Sequence, residues 1–287
     1  MRRLALAVLA LLLLARPALA LPSLWVVHGP DCDITLFGSV HVLPEGTIWE
    51  PPALATALDQ ADELWFEIPV DDGGLQQAVQ AARARALLPP GQSLTQLMSA
   101  AAERRLEAIA RTNKLSMPTL DRMQPWFADM LVSSFAYAKL GAKQDAGVEE
   151  SLAKAAPKAR RMAFETAQQQ IGMVADAPLA VQVASLESSL KEADQDPDEY
   201  RNLVADWLKG DGKALYRHEV LTLKRETPEL FDRLIVQRNA AWTDILTERL
   251  KGRGHVVVVV GAGHLVGPEG VPARLRALGF VVDGPKD

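Results

Sequence analysis

The sequence predicts an α/β fold: a central mixed sheet built from two β-α units with paired Gly-x-x-His motifs, plus a large, mainly helical insertion. Three observations carry this. Ile34-Thr35-Leu36-Phe37-Gly38-Ser39-Val40-His41 near the start and Val256-Val257-Val258-Val259-Val260-Gly261-Ala262-Gly263-His264 near the end are each an apolar run followed by Gly-x-x-His. Apolar, β-branched runs of this kind read as buried strands, and the glycine as the strand's end. Each run is followed by a helix pattern and then another strand pattern. Between them, over about 75–250, the chain is alanine-rich and its apolar residues recur at helical spacing.

Residues 1–20 stand apart. Met1-Arg2-Arg3 is basic, Leu4 to Leu14 is unbroken apolar chain, and Ala18-Leu19-Ala20 is a small-x-small cleavage site. Together they predict a secretory signal peptide, too short to span a membrane with these flanks. Cleavage near Ala20 would leave 21–287 as a single exported domain, periplasmic or extracellular, with no stable membrane insertion. It removes three arginines and no acid, taking the formal net charge from −5 to −8. An acidic exported chain is a poor candidate for nucleic acid or an anionic membrane surface. Cys32 is the only cysteine, so no internal disulfide forms. Its place between Asp31 and Asp33 in a turn cluster predicts an exposed thiol.

Taken in order, Leu24 to His28 and Ile34 to Phe37 form a hairpin around the turn cluster Gly29 to Asp33. Pro51 and Pro52 suit the first turn of a helix that continues to Ala61. Glu63 to Ile68 is a strand with Glu67 near its end. In the insertion, Ser93 is an N-cap candidate for a helix through Met98. Further helices are predicted over Ala101 to Arg111 and Pro125 to Lys139. Arg161 to Phe164 is a short strand, and Glu165 follows it directly. Gln168 to Glu192 is helical with a break at Pro178, and Glu199 to Lys209 and Lys213 to Arg225 are two more helices.

Pro228 opens the longest helix, to about Leu250, with Phe231, Leu234, Ile235, Trp242, Ile245 and Leu246 at helical spacing. Arg238 lies four residues after Leu234 and four before Trp242. It therefore falls on the apolar face, where a charge must be paired. After His264, Pro272 to Leu278 is a helix and Phe280 to Val282 the last strand.

Glycine permits both positive φ and close backbone approach, which suits a sharp exit from a sheet edge. His41 and His264 each stand just past a strand's C-terminal end, where open α/β sheets bind ligands. Adjacent strands lie about 4.8 Å apart, so neighbouring strands would bring the two imidazoles within roughly 8 Å.

Several of these stretches together carry a family resemblance: Leu36-Phe37-Gly38-Ser39-Val40-His41, Phe66-Glu67, Gly147-Val148-Glu149, Phe164-Glu165-Thr166, Arg238-Asn239-x-x-Trp242 and Val260-Gly261-Ala262-Gly263-His264-Leu265-Val266-Gly267. In that order they resemble the TraB/PrgY/GumN family across essentially the whole chain after residue 20. That family is similar to the Tiki metal-dependent proteases and, more distantly, to erythromycin-esterase and haem-binding ChaN proteins. The resemblance implies that His41 and His264 are the paired motif histidines, Glu67 the acid after the next strand and Arg238 the arginine before the last motif. Glu165 and Glu149 match further acidic positions. At Glu149 many relatives have Asp, which keeps the charge but changes its reach.

The leading expectation is a metal-dependent hydrolase of peptides, its partner being a peptide or small-molecule substrate. His41, His264 and Glu67 or Glu165 would hold a divalent ion (Mn, Co or Zn) and leave a position for water. A remaining glutamate would act as base, and Arg238 would orient a carboxylate or stabilise an oxyanion. Three alternatives stay open: a metal-free esterase-like hydrolase with His41 as base and Glu67 as its partner, a haem- or metal-binding module, and a structural scaffold.

Overall fold

The computed structural model describes residues 21–196 and 198–286; the expected signal peptide lies outside the described residues. Eight strands follow in chain order: β1 (Leu24–His28), β2 (Asp31–Ser39), β3 (Leu43–Pro44), β4 (Glu63–Phe66), β5 (Ala142–Lys143), β6 (Arg160–Ala163), β7 (Arg253–Gly261) and β8 (Val281–Asp283). Six form one sheet in the order β6-β4-β7-β2-β1-β8, and β3 pairs with β5 in a separate two-residue ladder. β6, β4, β7 and β2 run parallel, while β1 is antiparallel to β2 and β8 antiparallel to β1. The valine run becomes the sheet's interior because Val256 to Val260 are buried on both faces. A covered parallel strand needs this continuous apolar pattern rather than alternation.

The two β-α units reach to opposite sides of the sheet. From β2 the chain passes through the Pro52–Gln60 helix to β4, stepping over β7; from β7 it passes through the Val271–Ala277 helix to β8, stepping over β2 and β1. Cross-strand register puts Trp25, Leu36, Val258 and Trp65 on one face. There Trp65 packs on Phe164 (5.1 Å between centroids) and Phe164 stacks on Trp242 (4.9 Å), seating the Gln237–Arg249 helix. On the other face Phe37 meets Trp49 and Trp207. Buried side chains of this size contribute about 1.5–3 kcal/mol each.

The chain between β4 and β7 is mostly helical and returns to the sheet once, at β6. The Ala100–Thr112, Pro125–Lys139 and Leu179–Gln195 helices enclose a second apolar cluster that includes Leu94, Leu106, Val132, Leu186 and Leu190. Ser93 takes the N-cap position of the Leu94–Leu97 helix without capping it by its side chain. Its hydroxyl instead bonds Asp121, and the Asp121 carboxylate accepts from the Thr95 N–H at 2.9 Å. The long C-terminal helix contains a π turn, Asp232–Val236, and the helix before it contains another, Tyr216–Val220.

The hairpin corrects one expectation. The turn needs only Gly29 and Pro30, because His28 pairs with Asp33 and the Gly29 N–H bonds the Cys32 carbonyl at 2.8 Å. Asp31 to Asp33 therefore belong to β2, and Cys32 is buried rather than exposed. A thiol reagent is expected to leave the native protein unmodified and to react with one cysteine in denaturant. Fast reaction of the native protein would show that β2 starts later.

Candidate functional site

Each of the four parallel strands ends in a residue singled out above. Glu165 follows β6, Glu67 follows β4, His264 follows β7 and His41 follows β2, all on the C-terminal edge. β2 and β7 are adjacent. A Cβ placed on Gly261 would lie 3.3 Å from Glu67 Oε1, 3.7 Å from His264 Cδ2 and 3.8 Å from His41 Nε2. The two rings thus approach closer than the sum of the last two distances, inside the roughly 8 Å expected from strand spacing.

The motif glycines serve close approach. None of Gly38, Gly261 and Gly263 takes positive φ. A Cβ on Gly38 would press on Ala262 Cα at 3.0 Å, so the two motif loops pack on each other there. The Gly261 N–H donates to Glu67 Oε1 at 2.7 Å, and a Cβ on Gly263 would meet the Glu219 carboxylate at 3.2 Å.

Arg238 is the buried hub beneath this edge, only 7% exposed. Its Nη2 donates to Glu67 Oε2 at 2.6 Å, its Nε to Glu165 Oε1 at 2.9 Å and its Nη1 to His264 Nε2 at 2.9 Å. The guanidinium lies 4.5 Å from the Trp242 ring centre, and Trp242 Nε1 donates to Glu165 at 2.9 Å. Planar, five-donor arginine suits such a fork, which lysine cannot reproduce. Glu149 is not among the partners of Arg238 and bonds Ser39 and His41 instead.

On the opposite side of the ring, His264 Nδ1 donates to Asn239 Oδ1 at 2.6 Å. Asn239 is itself held by its Nδ2 donating to the Glu269 carbonyl at 2.8 Å. His264 is therefore the neutral Nδ1–H tautomer. Burial, followed by the Arg238 charge, lowers its pKa to about 3 against the pull of Glu67. Burial pushes the Glu67 carboxyl up, but Arg238, then His264 and His41, with the Gly261 N–H, outweigh it and bring it down to about 2. Gln170 Nε2 adds a bond to Glu67 Oε2 at 2.9 Å.

His41 is built differently. Its Nδ1 bonds Glu149 Oε1 at 2.8 Å, and the Ser39 hydroxyl donates to the same oxygen. Its partner is thus Glu149 rather than Glu67, whose oxygens serve Arg238, Gln170 and Gly261. The ring is 66% exposed, walled by protein yet open to cleft water. The Glu149 charge raises its pKa well above the usual histidine range, against the effect of burial. Water in the cleft screens part of that attraction.

Ser39, His41 and Gly261 floor a cleft of about 690 Å³. Its walls come from 132–140, 185–196, 198–203 and 218–227. Glu219, on the Tyr216–Val220 π turn, reaches toward the floor, and burial raises its carboxyl pKa while His41 opposes the rise. Sequence reasoning missed Glu219, Gln170 and the role of Asn239. Only Asn239 had a signal, its place beside Arg238 in Arg-Asn-x-x-Trp.

The expected ligands His41, His264 and Glu67 are brought together, but their lone pairs are not all free. Both His264 nitrogens are engaged, and Arg238 stands at His264 Nε2 and Glu67 Oε2. Among the described residues no three His, Cys, Asp or Glu side chains form a group arranged to hold an ion. This donor set does not fit a metal in the arrangement seen. Among the same residues no helix is long and apolar enough to cross a membrane.

Comparison with known proteins places the chain. No solved structure gives a significant match. The uncharacterized protein YbaP of Escherichia coli (strain K12) is 29% identical over 259 residues, covering 86% of this chain and 92% of the relative. An uncharacterized protein of Treponema pallidum (strain Nichols) is 25% identical over 275 residues, covering 88% of this chain and 82% of the relative. The model of the TraB/PrgY/gumN family matches residues 23–283, spanning both Gly-x-x-His motifs and the Arg238 hub. The chain belongs to the TraB/PrgY/gumN family.

Proposed function

We propose that this protein is an exported hydrolase that cleaves a peptide or ester bond held in the cleft, with His41 as general base and Glu149 as its orienting partner. One observation carries the reading. His41 Nδ1 is bonded to a carboxylate while Nε2 faces the cleft at the C-terminal edge of the parallel sheet. A base must lie within reach of the proton that it takes and be held in one tautomer. Neutral His41 would take a proton from the attacking water at Nε2, the Glu149 carboxylate would stabilise the imidazolium, and the proton would pass to the leaving group. Arg238 and Glu165 lie beneath the floor with their polar atoms engaged. They act as positioning residues, holding Glu67 and His264 in place. Arg238 occupies the His264 Nε2 lone pair that a metal would need.

The test is turnover of a panel of ester and peptide substrates by the protein without residues 1–20, before and after chelation, and by His41→Ala. Turnover should survive chelation and fail in His41→Ala. Loss on chelation with recovery in Mn²⁺, Co²⁺ or Zn²⁺ would overturn the metal-free reading. Full activity of His41→Ala would overturn the site.

The raised His41 pKa sets a pH dependence. A base whose pKa is raised gains its neutral form only as pH climbs through the higher value. kcat/KM should therefore rise with pH above 6.5. In Glu149→Gln the limb should move to lower pH, since the charge that raises His41 is gone. Profiles of kcat/KM against pH for the two proteins check this, and superimposable limbs would remove Glu149 from the base.

A further inference from the structure

The cleft's outer part carries a charge pattern that the proposed hydrolysis does not use. Glu192 and Glu199 both line it. Burial, then the neighbouring Glu192 side chain, pushes Glu199 up to about 9. Among the described residues neither forms an ion pair with an arginine, lysine or histidine, whereas Asp198, also in the wall, pairs with Arg201. Lys139 is the one lysine or arginine among the lining residues.

An aromatic face stands within this acidic wall. Tyr137 packs on Tyr200 with ring centres 4.2 Å apart, and the Tyr200 hydroxyl is tied to the Val42 carbonyl beside His41. Burial, with the charges of Glu219, Glu192, Asp129 and Glu199 adding to it, raises the Tyr137 phenol pKa to about 12. Tyr137, Glu192, Glu199 and Glu219 all line the same cavity. An aromatic ring ringed by carboxylates attracts an organic cation by its face and by charge together.

We infer that the cleft takes a cationic substrate, seating an ammonium or guanidinium group, as in a lysine or arginine side chain, against Tyr137 and between Glu192 and Glu199. The bond to be cleaved would then lie deeper, at His41; this part rests on the hydrolase reading. The acids alone would not select a ligand, since solvated carboxylates are common on surfaces. What selects one is their enclosure in a cavity that opens onto the reactive edge, with an aromatic platform between. A positive ligand would give both side chains the counter-charge they lack, and an anionic one would add a further like charge.

The test measures binding without turnover. Calorimetry on the His41→Ala variant would compare two short uncharged-backbone peptide amides that differ only in a central lysine or glutamate. The lysine peptide should bind, weakening as salt rises, and the glutamate peptide should bind at least about tenfold more weakly. In a Glu192→Gln/Glu199→Gln background the lysine peptide should lose about tenfold in affinity, the range of a charge-assisted bond. Thermal unfolding would confirm that this background is folded, and Tyr137→Leu provides a second route that leaves every charge in place. Equal affinity for the two peptides, or a lysine affinity unmoved by both variants, would overturn the inference. Because no hydrolysis is read, its failure is distinct from failure of the catalytic proposal.

Discussion

An Arg238→Ala variant is expected to lose about 3–5 kcal/mol of folding stability, the usual result of removing one partner from a fully buried charge network. The side chain holds Glu67, Glu165 and His264 at once and stacks on Trp242. Truncation leaves two carboxylates buried together without a counter-charge and His264 Nε2 without a donor. It also opens a void beside Trp242. Arg238→Lys should recover only part of the loss, since a single ammonium cannot present a fork to both carboxylates. Urea unfolding would read both effects. A loss below about 0.5 kcal/mol, as at an ordinary surface position, would show that the guanidinium is dispensable. Adding Glu165→Gln to Arg238→Ala should return part of the stability by removing one stranded charge.

A His41→Ala variant is expected to lose about 10²–10⁴-fold in turnover, the range that a positioned general base supplies. Its stability should change little, because the ring is largely open to the cleft and, among the described residues, its side chain bonds Glu149 alone. The two variants therefore separate the two histidine-bearing halves of the site: Arg238→Ala acts through folding and His41→Ala through chemistry. Steady-state kinetics beside a melting curve would show this. A His41→Ala protein that is active but unstable would reverse the assignment.

The strands were legible because their burial is written in residue type. Five consecutive valines have no amphipathic alternative, and a strand covered on both faces shows as an unbroken run. Arg238 was legible for a related reason, since a charge at helical spacing on an apolar stripe must find a partner inside. Cys32 was misread because polar residues marked a turn, whereas only Gly29 and Pro30 turn and the aspartates stand on the exposed side of β2. The π turns leave no mark in the apolar pattern, so Glu219 looked like any acid on a solvated helix face. Its meaning comes from Gly263, which leaves room for the carboxylate. The pairing of His41 with Glu149 joins two loops through β2 and a short helix. No local periodicity could predict that contact; only the family resemblance marked Glu149 as a position of interest.

The place of β7 between β2 and β4 has a consequence for how the molecule is made. β2 and β4 do not touch each other in the ladder; each pairs with β7. Until residues 253–261 arrive, the sheet consists of two separate halves, β6-β4 on one side and β2-β1 on the other. β2–β7 pairing joins segments roughly two hundred residues apart, a high-contact-order event that is slow because loop closure precedes its reward. A chain still being synthesised thus carries His41 and Glu67 on halves that nothing has yet joined. The strand that delivers His264 is also the one that closes the sheet, so closure of the sheet and assembly of the site arrive in the same late step.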